Sequence, residues 1–168
     1  MTRIDTSRLT LRKARPGDVE DYWRMFSDPE CMRYWSSPPH ADQSETGAML
    51  ARHAASPDPV TYFAWVEEGR VIGCGGAPGG RQEIGYMLAR DRWGQGLAQE
   101  AMAAIIDYLW QITDHPQLTA DVDPLNRASV MLLTRLGFVA SGYAARTFHV
   151  AGTWSDSVYF RLPRPETA

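Results

Sequence analysis

IGYMLARDRWGQGLAQ, residues 84–99, combines three local signals in one short stretch. It predicts a strand over residues 84–89, a tight charged turn over 90–95 and the first turn of a long helix. Gly94 and Gly96 fall where the strand passes into the helix, and a residue without a Cβ lets the backbone approach a ligand closely. Because the start of a helix presents unpaired N–H groups and the positive end of its dipole, this junction predicts a phosphate-binding site.

The composition is that of one globular domain spanning residues 1–168, with a net charge of −3. This charge balance argues against a broad nucleic-acid or acidic-membrane surface. Cys31 and Cys74 are too few and too far apart for a disulfide framework or a paired-cysteine metal site, which indicates a reduced compartment. There is neither a signal-peptide core nor an apolar run of about 18 residues, so we expect a soluble cytoplasmic protein.

The segments before residue 84 predict one strand, two helices and a hairpin. The strand covers residues 8–15, and Asp18 is the expected N-cap of the first helix, which ends before Asp28. Residues 31–40, aromatic and then rich in proline, are expected to be a loop or a short irregular helix. Residues 43–55 are expected to form a second helix, and residues 60–67 and 71–77 the hairpin.

The segments after the opening stretch alternate between helix and strand. The expected elements are a helix over 96–112, a strand over 117–123, a helix from Asn126 that ends before Gly137, and an antiparallel pair over 138–150 and 155–162. Hairpins dominate this order, with a single β–helix–β unit between them. It therefore predicts an α/β (α+β) fold, a mixed and mostly antiparallel sheet of about seven strands with helices on both faces.

Three common site motifs are absent from the sequence. A dinucleotide fingerprint needs a third glycine where Gln99 stands, and no P-loop ending Gly-Lys-Ser/Thr is present. The four histidines are scattered without metal-ligand spacing, so no metal is expected. No GxSxG elbow indicates a serine hydrolase.

Four segments in their usual order give the chain a resemblance to the GNAT N-acetyltransferases, in the RimJ/RimL-like branch. They are SRLTLRKARPGDVEDYW, EIGYML…RWGQGLAQEA, VDPLNRASVMLLTRLGFVASG and GTWSDSVYFRL, and together they cover nearly the whole chain. The resemblance implies a twisted sheet whose two central parallel strands splay apart in a V that admits acetyl-CoA. It also implies transfer of the acetyl group to a primary amine.

The resemblance assigns the cofactor site residue by residue. The family's loop, Q/R-x-x-G-x-G/A, matches Trp93, Gly94, Gln95, Gly96, Leu97 and Ala98. Its backbone N–H groups are expected to hold the pyrophosphate. Trp93 departs from the general pattern as members of this branch often do. Arg90 and Arg92 either add charge near the phosphates or belong to a solvated turn.

The same resemblance places the pantetheine arm. It assigns Met87 and Leu88 to the strand whose free backbone groups pair with the arm, and one of these N–H groups to polarising the thioester carbonyl. Asn126, also a natural helix N-cap, and Ser129 are assigned to its other side.

The expected chemistry is direct attack of the amine on the thioester. Leu133 stands where many relatives have a tyrosine that protonates the leaving thiolate, so Ser129 is the candidate replacement acid. Glu83 is the candidate base, with an exposed strand-end carboxylate as the alternative reading. Asp121 and Asp123 are candidates for attracting the cationic amine. Aromatic candidates for the acceptor pocket are Tyr34, Trp35, Trp65, Tyr143 and Trp154.

The acceptor remains open at this level. The α-amine of a protein or peptide is favoured because it loses its proton more easily than a lysine. A small-molecule amine, such as a metabolite or an antibiotic, is the first alternative, and an acyl-CoA-binding module without catalysis is the second. The sequence also leaves open whether the chain is a monomer or a homodimer.

Overall fold

A computed structural model describes residues 2–166 as eight strands and four α-helices. The strands are β1 (Arg3–Asp5), β2 (Thr10–Arg12), β3 (Tyr62–Glu67), β4 (Arg70–Gly76), β5 (Gly85–Leu88), β6 (Gln117–Val122), β7 (Val139–Val150) and β8 (Thr153–Pro163). The helices are α1 (Val19–Phe26), α2 (Gln43–Ala54), α3 (Leu97–Ile112) and α4 (Arg127–Arg135). Single 3-10 turns lie at Pro16–Asp18, Pro78–Gly80 and Arg90–Arg92.

The strands form two antiparallel sheets, ordered β1-β2-β3-β4-β5 and β6-β8-β7. The sheets meet where Glu83 and Thr119 form a parallel bridge. There the Ile84 N–H donates to the Thr119 carbonyl (2.8 Å), and the Thr119 N–H donates to the Gln82 carbonyl (2.9 Å). In the part of the chain described, this bridge is the one pairing between the strands around β5 and β6, which diverge beyond it. The predicted V-shaped splay is confirmed.

Helices cover both faces of the larger sheet, as predicted. Alternate side chains of β3 point to opposite faces. Phe63 and Trp65 enter the main core with α3 and Leu133 of α4, while Ala64 enters a second core with α1 and α2. The Trp65 ring lies flat over β4, where a Cβ added at Gly73 or Gly75 would come within 2.6 Å of it.

The N-terminal strand prediction was wrong in its extent. The strand predicted over 8–15 is only β2, because a turn closed by the Thr6 N–H and the Leu9 carbonyl (2.8 Å) precedes it and adds β1 as the edge of the sheet. The sheets therefore contain eight strands among the described residues, not about seven. Short strands with few apolar residues give weak periodicity, which explains the miss.

Asp18 precedes α1 as predicted, but its carboxylate does not cap the helix. It accepts from the Arg15 N–H (2.7 Å) and from the Arg12 guanidinium (2.7 and 2.8 Å), which ties β2 to the start of α1. Across residues 2–166, we find no helix with the length and apolar content needed to cross a bilayer. The cytoplasmic location stays a prediction.

Candidate active site

A cleft of about 810 Å³ opens where β5 and β6 diverge. Its walls are β5, β6, the start of α3, the start of α4 and the loop after α1. Of the residues predicted for catalysis or cofactor binding, it is lined by Glu83, Met87, Leu88, Trp93, Gly94, Gly96, Leu97, Ala98, Asn126 and Ser129. Gln95 lies outside the lining, because its side chain turns back to donate to the Asp91 carbonyl (3.2 Å).

At one end of the cleft, backbone groups are arranged in a way that suits an anion. Gly94 (φ 74°) and Gly96 (φ 75°) are left-handed, a conformation that L side chains rarely adopt. They turn the chain directly into α3, where the first intrahelical bond runs from the Glu100 N–H to the Gly96 carbonyl (3.0 Å). The N–H groups of Leu97, Ala98 and Gln99 therefore have no partner within the helix and lie at the positive end of its dipole, where they can bind an anion.

Arg8 braces this loop from outside the cleft. Its guanidinium donates to the Gln95 carbonyl (2.9 Å) and to Glu100 Oε2 (2.7 Å), while its N–H and the Thr6 hydroxyl both donate to Glu100 Oε1 (2.8 and 2.6 Å). Burial opposes ionisation of Glu100, but the hydrogen bonds from Thr6 and Arg8 outweigh it and lower its pKa.

This role of Arg8 cannot be seen in the sequence. The residue lies in a segment that supported the resemblance, yet its partners are 87 and 92 positions away in the chain. Sequence spacing gives no sign of such a contact.

Backbone direction along β5 separates Met87 from Leu88. Met87 lies opposite Cys74 in the β4–β5 ladder, whereas the Ile84 N–H points to β6. Because these directions alternate along a strand, the main-chain groups of Tyr86 and Leu88 face the gap and those of Met87 face β4. The prediction that Met87 has free backbone groups is therefore wrong, and Tyr86 instead has main-chain groups that face the gap. The Leu88 carbonyl is also not free, since the Trp93 indole donates to it (2.8 Å).

The start of α4 forms the opposite wall. The Asn126 side chain accepts from the Ser129 N–H (3.2 Å), so it is a helix N-cap that also lines the cleft. Both readings of Asn126 are thus compatible. Leu133, by contrast, is fully buried in the main core and does not reach the cleft.

Carboxylates dominate the charge of the cleft lining. Five acidic residues line it, against the basic residues Arg33, Arg127 and Arg135; the acids are Glu30, Glu83, Asp121, Asp123 and Asp156. Glu83 stands exposed at the bridge that closes the V. Asp123 accepts from the Leu125 N–H (2.8 Å), which fixes its orientation.

The predicted arginines do not reach the cleft lining. Arg92 pairs with Glu67 (2.7 Å), which supports the solvated-turn interpretation for this residue. Arg90 also lies outside the lining.

Two of the five aromatic candidates reach the cleft, namely Tyr34 and Trp35. Trp65 was a wrong candidate, because its ring is fully buried in the main core against β4. Tyr143 and Trp154 lie on the β7–β8 hairpin outside the lining, where the Tyr143 hydroxyl donates to Asp156 and Trp154 stacks beneath Arg146.

Phe148 and Asp156, which sequence reasoning missed, form the hairpin's part of the wall. A bulge in β7 between Ala144 and Phe148 places them there. The bulge is held by the Arg146 N–H, which donates to Asp156 (2.8 Å).

A protein-family model described as an acetyltransferase (GNAT) domain matches residues 8–139. The uncharacterized N-acetyltransferase p20 of Bacillus licheniformis is 33% identical over 100% of this chain and 99% of that protein. A [ribosomal protein uS5]-alanine N-acetyltransferase of Escherichia coli is 35% identical over 49% of this chain and 43% of that protein. The crystal structure of a Vibrio cholerae spermidine N-acetyltransferase in complex with CoA and spermine superposes with a TM-score of 0.81 at 22% identity, covering 94% of this chain and 96% of that one.

These matches extend over the strands, the loop of Gly94 and Gly96 and the start of α4 that form the cleft. The chain therefore belongs to the GNAT acetyltransferase family, and it is an acetyl-CoA-dependent N-acetyltransferase.

Proposed function

We propose that this enzyme acetylates the α-amine of a protein or peptide N-terminus, by direct attack on acetyl-CoA in a ternary complex. The observation that supports it most is the position of Glu83. Its carboxylate lines the cleft at the bridge where β5 and β6 separate, at the opposite end of β5 from the glycine loop. An amine that enters from the splayed side meets this carboxylate next to the acetyl group.

The energy needed to deprotonate the amine favours an N-terminus. An α-amine with a pKa near 8 costs about 1 kcal/mol to deprotonate at pH 7, and a lysine ammonium about 4.5 kcal/mol. A single exposed carboxylate such as Glu83 is a weak base, so it suits the first amine better than the second.

The acceptor side of the cleft is open, as a polypeptide substrate requires. Tyr34, Leu125 and Phe148 line it while remaining 36%, 72% and 39% exposed. An extended chain can leave the cleft past these side chains without displacing the fold. The E. coli relative, by its name, acts on an alanine of a ribosomal protein.

A small polycationic amine is the second candidate, favoured by the five carboxylates of the lining. Carboxylates spaced along a cleft attract a flexible cation with several charges more strongly than a single ammonium. The Vibrio cholerae neighbour was crystallised with spermine.

A thiol-release assay over an amine panel separates these acceptors. The panel contains one peptide with a free N-terminus and no lysine, and a second peptide whose N-terminus is acetylated and which contains a lysine. Spermidine and an aminoglycoside complete it. Turnover of the free peptide alone supports the proposal, whereas turnover of spermidine or the aminoglycoside alone would replace it with a small-molecule activity. Calorimetric binding of acetyl-CoA without turnover of any amine would indicate a binding module instead.

A further inference from the structure

The side chain of Tyr86 lines the cleft from the middle of β5. Its ring packs against the main core, on the same face of the sheet as α3. Its hydroxyl donates to the Ser129 carbonyl at 3.5 Å, a long contact at the limit of hydrogen bonding. The phenol therefore spans the gap between β5 and the start of α4.

Tyr86 lies at the level along β5 where we expect the acetyl end of the cofactor. The glycine loop follows the C-terminal end of β5, and Glu83 lies before its N-terminal end. Strand residues rise about 3.3 Å each, so Leu88 and Glu83 are about 17 Å apart along the strand. A pantetheine arm that leaves the loop and pairs with the Leu88 N–H and the gap-facing groups of Tyr86 brings its sulfur to this phenol. This placement rests on the proposed direction of attack from Glu83.

We propose that the Tyr86 hydroxyl turns away from the Ser129 carbonyl and donates its hydrogen bond to the CoA sulfur as the thioester breaks. The amine nitrogen forms a bond to the acetyl carbon, and the electron pair of the broken C–S bond goes to sulfur. The proton lost by the amine passes to Glu83 or to water. The thiolate leaves hydrogen-bonded to Tyr86 and takes up a proton from solvent on release.

The surroundings of Tyr86 suit a donor that keeps its proton. Burial raises its pKa to about 12, well above the value near 8.5 of an ordinary thiol. The phenol therefore stays neutral beside a thiolate and stabilises it by hydrogen bonding. Leu133 offers no alternative, because it is an apolar side chain buried in the core.

Ser129 is the competing hydroxyl on the same side of the cleft. Its N–H and its carbonyl both have partners, Asn126 and Tyr86, so its backbone holds the two neighbouring groups in place. Replacing its hydroxyl with hydrogen leaves these backbone contacts intact. Ser129→Ala therefore tests the competing hydroxyl, whereas Tyr86→Phe removes only the phenolic oxygen and keeps the ring that packs against the main core.

The direct test measures the pKa of the CoA thiol in its complex with the enzyme, from the ultraviolet absorbance of the thiolate as pH is raised. This measurement needs no acceptor amine. With Tyr86→Phe, we expect the pKa of the bound thiol to rise by about one to two units, a tenfold to hundredfold change in its acid dissociation constant. Ser129→Ala should leave it near the wild-type value, and thermal unfolding should report a folded protein for both variants.

Turnover provides the second readout. Tyr86→Phe should lower kcat by about tenfold to hundredfold while the Kd of acetyl-CoA stays the same. Equal thiol pKa values in wild type and Tyr86→Phe, or a shift produced by Ser129→Ala instead, would overturn this inference alone. A wild-type enzyme that binds no CoA would overturn the proposed function together with it.

Discussion

Gly96→Trp tests whether the left-handed turn before α3 is the pyrophosphate site. The substitution has two effects that are separable. It forces an L residue into a backbone with φ 75°, and it places an indole where the cleft must admit a phosphate. The first effect concerns folding, and the second concerns acetyl-CoA.

The folding cost is modest because a Cβ at Gly96 meets nothing closer than the Arg8 guanidinium at 3.7 Å. A left-handed L residue costs about 1–2 kcal/mol. For a chain of this size, that lowers Tm by roughly 2–8 °C. The cost for binding is larger. Losing two charge-assisted hydrogen bonds from the N–H groups of Leu97 and Ala98, at about 1.5 kcal/mol each, raises the Kd of acetyl-CoA roughly a hundredfold.

Gly152→Trp is the matched control. Gly152 is also left-handed (φ 82°), and a Cβ there meets nothing within 4 Å. It lies in the turn between β7 and β8, outside the cleft lining. Both variants should show similar losses of Tm, but only Gly96→Trp should lose acetyl-CoA in isothermal titration. If the two variants bind acetyl-CoA equally well, the glycine loop is not the phosphate site.

Three further predictions concern single residues of the site. Glu83→Gln should lower kcat about a hundredfold without changing the Kd of acetyl-CoA, and an unaltered kcat–pH profile would rule it out as the base. Arg8→Ala should weaken acetyl-CoA binding roughly threefold to tenfold, because it releases the Gln95 carbonyl. Arg3→Ala is the control: it breaks an exposed ion pair with Asp5 and should leave acetyl-CoA binding unchanged. Burial, aided by the Asp28 carboxylate, raises the pKa of Cys31 to about 11, so iodoacetamide at pH 8.5 should alkylate Cys31 roughly a hundredfold more slowly in the folded protein than in the unfolded chain. The alkylation rate, followed by mass spectrometry, should increase as pH rises. Alkylation of the folded protein as fast as in urea would contradict the burial of this thiol.

Local signals in the sequence were sufficient for the parts of the site that depend on neighbouring residues. The turn at Gly94 and Gly96, and the cap of α4 by Asn126, each need only a few consecutive residues. Their conformations are therefore readable from residue type and spacing.

Features that depend on sheet geometry were not readable in this way. Trp65 was a wrong candidate for the acceptor pocket. Both faces of β3 are apolar, and alternation alone does not tell which face a given ring occupies. Asp156 and Phe148 reach the cleft through the β7 bulge, where Arg146 adopts a φ of 55°. A bulge changes which residues share a face, so strand periodicity alone misplaces the wall beyond it.

The bridge between Glu83 and Thr119 has a consequence for the protein without its cofactor. Beyond that bridge, β5 and β6 each present an edge inside the molecule rather than at its margin. Unpaired strand edges are the usual starting points for adhesion between protein chains. Acetyl-CoA bound between them, as we propose, would make both edges inaccessible to other polypeptides. The concentration of acetyl-CoA in the cell would then influence how well this enzyme resists aggregation as well as how fast it works.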